Sequence, residues 1–240
     1  MSTTSTQDVE QELWDLENLA RARGLGDWMF EQFAPYARGR AVEVGAGIGT
    51  FSERLLAHGV DELLLLEPEP ACVSRLRERF AGDERCEITD ELLPEAPSVR
   101  ARASTVDFVL CQNVLEHIAD ERATVDALAA CLAPGGVLTL LLPAHPRLYG
   151  RLDRLYGHER RYTRSHLRAI VEEAGLEVLD LYAFNALGIL GWMVKSRVGE
   201  ATLDPRSLRA YERLLPLWRP VERRLRLPVG LSLVVHARKP

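Results

Sequence analysis

Val42–Ser52 reads VEVGAGIGTFS, and the fold of the chain turns on it. An apolar strand runs into three glycines, and a helical pattern begins at Thr50. Gly45, Gly47 and Gly49 permit a tight turn in which backbone N–H groups approach a ligand at the start of a helix. The spacing is not that of the dinucleotide fingerprint GxGxxG. The third glycine comes one residue early, and Thr50 stands where that pattern needs glycine. Glu43 lies two residues before Gly45. A carboxylate there would repel a pyrophosphate and suit a ligand that carries an ammonium group.

Outward from this stretch the chain alternates between strand and helix. Thr50–His58 has the period of a helix, with Phe51, Leu55 and Leu56 on one side. ELLLLE (62–67) is a strand without polar alternation, as expected of one buried on both faces. Ala71–Phe80 is a helix, CEIT (86–89) a short strand and TVDFVLC (105–111) another buried strand. Asp120–Leu132 is a helix closed by Pro134, Gly135 and Gly136, and VLTLLLP (137–143) is a fifth strand. Thr163–Ala174 is a further helix with Gly175 as its stop. LEVLDLYAF (176–184) and LSLVVHARK (231–239) complete the strands. The repeated βα units predict a Rossmann-like, doubly wound α/β sheet. It is mostly parallel, with an antiparallel last strand and helices on both faces.

Two segments lie outside this alternation. Residues 1–7 read as a polar lead, and 8–37 as helix interrupted at Gly24 and Gly26, so 1–39 are expected to form an N-terminal helical cover. The main domain then spans 40–240. Within it, residues 185–228 are too long for a turn. They read as a helical insert broken by Pro205, Pro216, Pro220 and Pro228. In that insert Leu208, Tyr211, Leu214, Leu215, Trp218 and Leu225 are expected to pack on the sheet while the arginines face water.

Composition narrows the function classes. At 240 residues and 47% hydrophobic content, the chain can bury a full core. A formal charge of −5 gives no general attraction for nucleic acid, although residues 147–168 and 206–226 each hold seven arginines. Cys72, Cys86, Cys111 and Cys131 lie far apart, which excludes a compact zinc cluster and fits reduced thiols in a cytoplasmic protein. The start shows no apolar leader, and no stretch supports stable membrane insertion.

Three more elements extend the glycine turn into a cofactor constellation. Glu67 closes the second strand, where a carboxylate accepts ribose hydroxyls. Asp90 follows the third strand, as a partner for an adenine amine or as a turn cap. Gln112 and Asn113 follow the fourth, at the edge where open α/β sheets bind ligands. In this order, EVGAGIG, Glu67, NVLEHI and LAPGGVLTLLLP resemble the class I S-adenosylmethionine-dependent methyltransferases. LYGRLDRLYGHERRYT, NALGILGW and LPVGLSLVVHARKP are similar to an uncharacterised bacterial subgroup of that family, so the likeness runs from about Trp14 onward. The resemblance implies S-adenosylmethionine as cofactor and S-adenosylhomocysteine as product. It implies that Glu43 and the backbone of Gly45, Ala46, Gly47 and Gly49 hold the methionine portion, and that Glu67 holds the ribose. Asp90 and Leu92 would border the adenine with Pro68 near it. Gln112 and Asn113 would face the methionine side, and His117 the reaction pocket.

Methyl transfer from a sulfonium is an in-line displacement that needs alignment more than a protein nucleophile. A hydroxyl acceptor benefits from a general base, for which His145, His158 and His117 are the candidates. Transfer to oxygen is the primary expectation, with nitrogen or carbon as alternatives. No metal is expected: Glu116, His117 and His145 could converge, but no spacing requires it. The acceptor should be a small molecule, with anionic and lipid-like groups both admitted. Arg160 and Arg161 offer an anion clamp, and Tyr149 and Trp192 offer contact surface. Arg161 has a second reading, an internal pair with Glu116 or Asp153. Oligomeric state is open, a homodimer being one option. Two rival classes remain: a nicotinamide oxidoreductase, which the displaced glycine and Glu43 oppose, and a cofactor-binding partner protein without catalysis.

Overall fold

The computed structural model describes residues 6–198, 205–225 and 227–240. Seven strands form one sheet: β1 (Gly39–Val44), β2 (Val60–Leu66), β3 (Cys86–Thr89), β4 (Val106–Gln112), β5 (Leu132–Pro143), β6 (Glu177–Phe184) and β7 (Ser232–Arg238). Their order is β3-β2-β1-β4-β5-β7-β6. The first five are parallel, and β7 runs antiparallel between β5 and β6. The helices are α1 (Thr6–Arg21), α2 (Arg23–Phe33), α3 (Thr50–His58), α4 (Pro70–Arg79), α5 (Pro97–Arg100), α6 (Glu121–Cys131), α7 (Arg151–Leu155), α8 (Arg164–Glu173), α9 (Ala186–Val198) and α10 (Pro205–Leu225).

The continuous leucines of β2 show how the sheet is buried on both sides. Leu64 and Leu66 join Val42, Val44, Leu138 and Leu140 in a core with Val125 and Leu128 of α6 and Ile170 of α8. Leu63 and Leu65 point the other way, into a core with Phe33 of α2, Leu55 of α3 and Leu76 of α4. Glu43 shares this second face, because side chains alternate along β1. A third cluster joins Trp28 of α2, Leu215 of α10, and Phe184 and Val234 of the antiparallel strands.

Local signals set the helix ends. The side chains of Glu69, Asp120 and Thr163 cap α4, α6 and α8 by accepting backbone N–H bonds. Gly175, at φ +78°, follows α8 as expected. β1 is flanked by β2 on one side and β4 on the other, so the chain order reverses beside it. That is the switch point where open α/β sheets open a crevice.

Four expectations are corrected. The break between the first helices falls at Ala22, and Gly24 and Gly26 lie inside α2. A Cβ on Gly26 would come within 2.6 Å of the terminal Nη2 of Arg54 on α3. Pro134, Gly135 and Gly136 do not close α6, which stops at Cys131. They belong to β5, where a Cβ on Gly136 would meet the Val106 carbonyl oxygen at 2.7 Å. Pro216 and Pro220 do not break α10, which runs through both with the two residues exposed. Leu208, Tyr211, Leu215 and Trp218 pack inward, but Leu214 and Leu225 are 51% and 61% exposed. Residues 1–5 of the polar lead lie outside the described residues. No described helix is long and apolar enough to cross a membrane.

Candidate active site

The glycine turn after β1 is pinned to the end of β2. Gly45 and Ala46 both donate their N–H to the Leu66 carbonyl, at 2.8 and 3.1 Å. Gly45, Gly47 and Gly49 all have positive φ, the left-handed region open to glycine. A Cβ on Gly45 would sit 2.2 Å from Val114, so the turn and the loop after β4 touch directly. Leu16 of α1 lies over Gly47.

Two buried carboxylates flank this turn. Glu67 accepts the Gly47 N–H at 2.7 Å on one oxygen and the Glu69 N–H at 3.0 Å on the other. Burial raises its pKa against those two hydrogen bonds. Glu43 accepts the Ser52 hydroxyl at 2.6 Å. Burial pushes Glu43 up to about 8, with the Glu67 charge adding to it and the Ser52 bond opposing it. No described arginine, lysine or histidine forms an ion pair with either carboxylate.

Among the described residues several side-chain polar atoms are buried and unbonded, including Gln112 Oε1, His145 Nε2, Trp192 Nε1 and Asn18 Nδ2. Gln112 ends β4, and His145 follows β5 in a left-handed conformation at φ +61°. Asn113, at φ +51°, leaves its side chain exposed and donates its N–H to Leu141 at 2.8 Å. Asp90, Leu92 and Pro68 are exposed on the β2–β3 side. Sequence reasoning missed Asn18 and Ser52. Ser52 sits one helical turn into α3, where its pairing with Glu43 is a tertiary fact. Asn18 carried no motif.

The segment after β5 is architecture more than clamp. Arg161 is 4% exposed. It donates to Asp153 at 2.7 Å and to the Ala144 carbonyl at 3.1 Å, and its guanidinium lies 4.4 Å from the Trp192 ring centre. Arg160 donates to the carbonyls of Ile118 and Ala119 and pairs with Glu121. The two arginines expected to clamp an anion thus have internal partners: Arg160 the carbonyls of the turn after β4, and Arg161 the Asp153 carboxylate. Tyr149 is likewise occupied, donating its hydroxyl to the His158 carbonyl at 2.8 Å. His158 pairs through Nδ1 with Asp153 at 3.0 Å and meets His117 edge to face, with ring centres 4.8 Å apart. The trio that gathers is Glu116, His117 and His158, with ligand-capable atoms all within 4.8 Å of one another. His145 is not part of it.

A methyltransferase-domain family model matches residues 18–181. The chain belongs to the class I S-adenosylmethionine-dependent methyltransferases. A ubiquinone biosynthesis O-methyltransferase from Xylella fastidiosa is 36% identical over 108 residues, 43% of this chain and 42% of that protein. The chain thus spans less than half the length of the curated relatives it matches. An S-adenosylmethionine-dependent methyltransferase from Mesorhizobium loti superposes with a TM-score of 0.58 at 16% identity, over 83% of this chain and 90% of that one. Phosphoethanolamine N-methyltransferase 2 from Haemonchus contortus, in complex with S-adenosylmethionine, gives 0.55 at 15% identity over 84% and 49%. At these identities the two structures establish a shared methyltransferase fold.

Proposed function

We propose that the chain moves a methyl group from S-adenosylmethionine to a hydroxyl oxygen of a small-molecule acceptor. One observation carries the reading. Among the described residues, two buried carboxylates without a cationic partner, Glu43 and Glu67, flank a turn of three left-handed glycines. That donor set fits the cofactor. Its ammonium would supply the positive charge Glu43 lacks, and its ribose hydroxyls would use the lone pairs Glu67 keeps beyond its two backbone bonds. When bound, S-adenosylmethionine supplies a methyl group made electrophilic by its sulfonium.

The chain's own part is to bind, align and exclude water. Gly45, Ala46, Gly47 and Gly49 hold the methionine end with Gln112 and Asn113. Pro68, Asp90 and Leu92 border the adenine. Alignment of acceptor and methyl group contributes roughly 7–11 kcal/mol to such displacements. His145 is the base we assign, because its Nε2 is buried, unbonded and at the ligand edge of β5. His158 is less free, since Asp153 holds its Nδ1. A buried base supports oxygen over nitrogen as acceptor, as does the relative whose name specifies O-methyl transfer.

Calorimetry with S-adenosylhomocysteine tests the reading. Binding is expected, and its absence overturns the proposal. Greater thermal stabilisation by NAD than by S-adenosylhomocysteine would instead favour an oxidoreductase. Retained cofactor affinity with lost turnover in His145→Asn supports the base. Unchanged turnover removes it.

A further inference from the structure

We propose that Glu116, His117 and His158 form a binding site for a divalent transition-metal cation. Glu116 is 0% exposed, and neither of its carboxylate oxygens accepts a hydrogen bond from another residue. The neighbouring acids are answered: Asp153 by Arg161 at 2.7 Å, and Glu121 by His166 at 2.9 Å and Arg160 at 3.6 Å. A buried carboxyl group with no partner costs stability unless something compensates it.

The two histidines are arranged as ligands. His158 Nδ1 is bonded to Asp153, which leaves Nε2 as the free nitrogen. Asp153 is itself fixed, accepting from Arg161 and from the Gly150 N–H at 2.8 Å. A carboxylate that orients a histidine through its far nitrogen is the usual support behind a metal-bound imidazole. His117 brings the second ring edge to face with the first.

One carboxylate and two imidazoles suit zinc, manganese, iron or cobalt, and three protein ligands leave positions open. Metal–ligand bonds near 2.1 Å place ligand atoms roughly 3.4 Å apart. Cation binding would draw the present spread of up to 4.8 Å inward. His117 is exposed, so the open positions face solvent. This reverses the expectation of no metal, because the third ligand comes from His158, 41 residues along the chain from His117. That an acceptor oxygen takes an open position rests on the methyl-transfer reading; cation binding itself does not.

The test uses the full chain, stripped with a chelator and titrated with Co²⁺ and Zn²⁺ near neutral pH. One cation per chain is expected, with visible d–d bands on Co²⁺ addition and a raised melting temperature. Glu116→Gln and His117→Ala should each weaken Co²⁺ binding by about tenfold or more and change the bands. His117 is on the exposed side, so its variant keeps the test sound if Glu116→Gln fails to fold. Absence of stoichiometric binding, or binding and bands unaltered in His117→Ala, overturns the site. S-adenosylhomocysteine binding is measured on the same samples. Its loss in the wild type would sink the methyl-transfer reading and leave the cation result standing.

Discussion

The Glu67 carboxylate accepts the Gly47 N–H at 2.7 Å, so the end of β2 holds the glycine turn that follows β1. This one bond joins a candidate ligand residue to the backbone that would lie against the same ligand. Glu67→Ala is expected to act twice. It leaves a buried N–H unpaired, at a cost of about 1–3 kcal/mol, and it removes the ribose acceptor. Thermal denaturation should show a lower melting temperature, and calorimetry should show S-adenosylhomocysteine affinity falling at least about tenfold. A variant with lowered stability but full affinity would leave Glu67 as a loop brace alone.

Gly45→Ala should be more severe than its single carbon suggests. The new Cβ would lie 2.2 Å from Val114 in a left-handed backbone. Either the turn or the loop after β4 must move. Loss of cofactor binding with a stability loss of about 1–3 kcal/mol is expected. Gly82→Ala supplies the comparison: it has a similar φ of +81° but nothing within 4 Å, so only the backbone strain remains.

Glu43 gives a pH dependence of defined sign. Its folded pKa is raised from 4.5 to about 8, so between those values the folded chain holds a proton that the unfolded chain has released. This contribution to stability is full below about pH 4.5 and is lost as pH rises through about 8. Chemical denaturation of the ligand-free protein across that range should show the decline, and Glu43→Gln should flatten it. His236 works at the acid end. Burial lowers it from 6.5 to about 4, so its contribution is lost as pH falls through that interval.

Arg161→Met separates brace from clamp. It would take the guanidinium from Asp153, which is 0% exposed and would keep only His158 and the Gly150 N–H, and breaking one side of a buried pair costs about 3–5 kcal/mol. The expected result is a large fall in the denaturation midpoint. A normal midpoint with a raised KM would restore the clamp.

Helix α10 allows a contrast within one element. Leu215 is 1% exposed and Leu217 is 75% exposed. Leu215→Ala should cost about 2–5 kcal/mol, while Leu217→Ala should stay within about 0.5 kcal/mol. Urea titration reads both.

The sheet was legible because its signals are local. A glycine turn after an apolar strand, leucines without alternation, and Thr163 before a helical period each depend on a few adjacent residues. What failed depends on distant partners. Gly26 reads as a helix breaker until Arg54 is seen against it, and Gly136 reads as a stop until the Val106 carbonyl is beside it. Pro216 and Pro220 lack the N–H a helix interior uses, yet the inward packing of Leu215 and Trp218 holds α10 together across them. Arg160 promised an anion site because most of its acceptors are backbone carbonyls, which leave no mark in a sequence, whereas the Asp153 partner of Arg161 was among the readings the sequence offered. The pairing of His117 with His158 was hidden in the same way.

The place of β7 has a consequence for assembly. β6 reaches the sheet only through β7, and β7 follows it across the α9 and α10 segment. A strand made earlier must therefore wait for one made later. Until β7 threads between β5 and β6, the edge of β5 stays bare and Phe184 and Val234 cannot meet Trp28. The parallel half of the sheet, with its glycine turn and both buried carboxylates, needs no such wait. The parallel half of the sheet thus pairs without β7, and the antiparallel edge is complete only once β7 is in place.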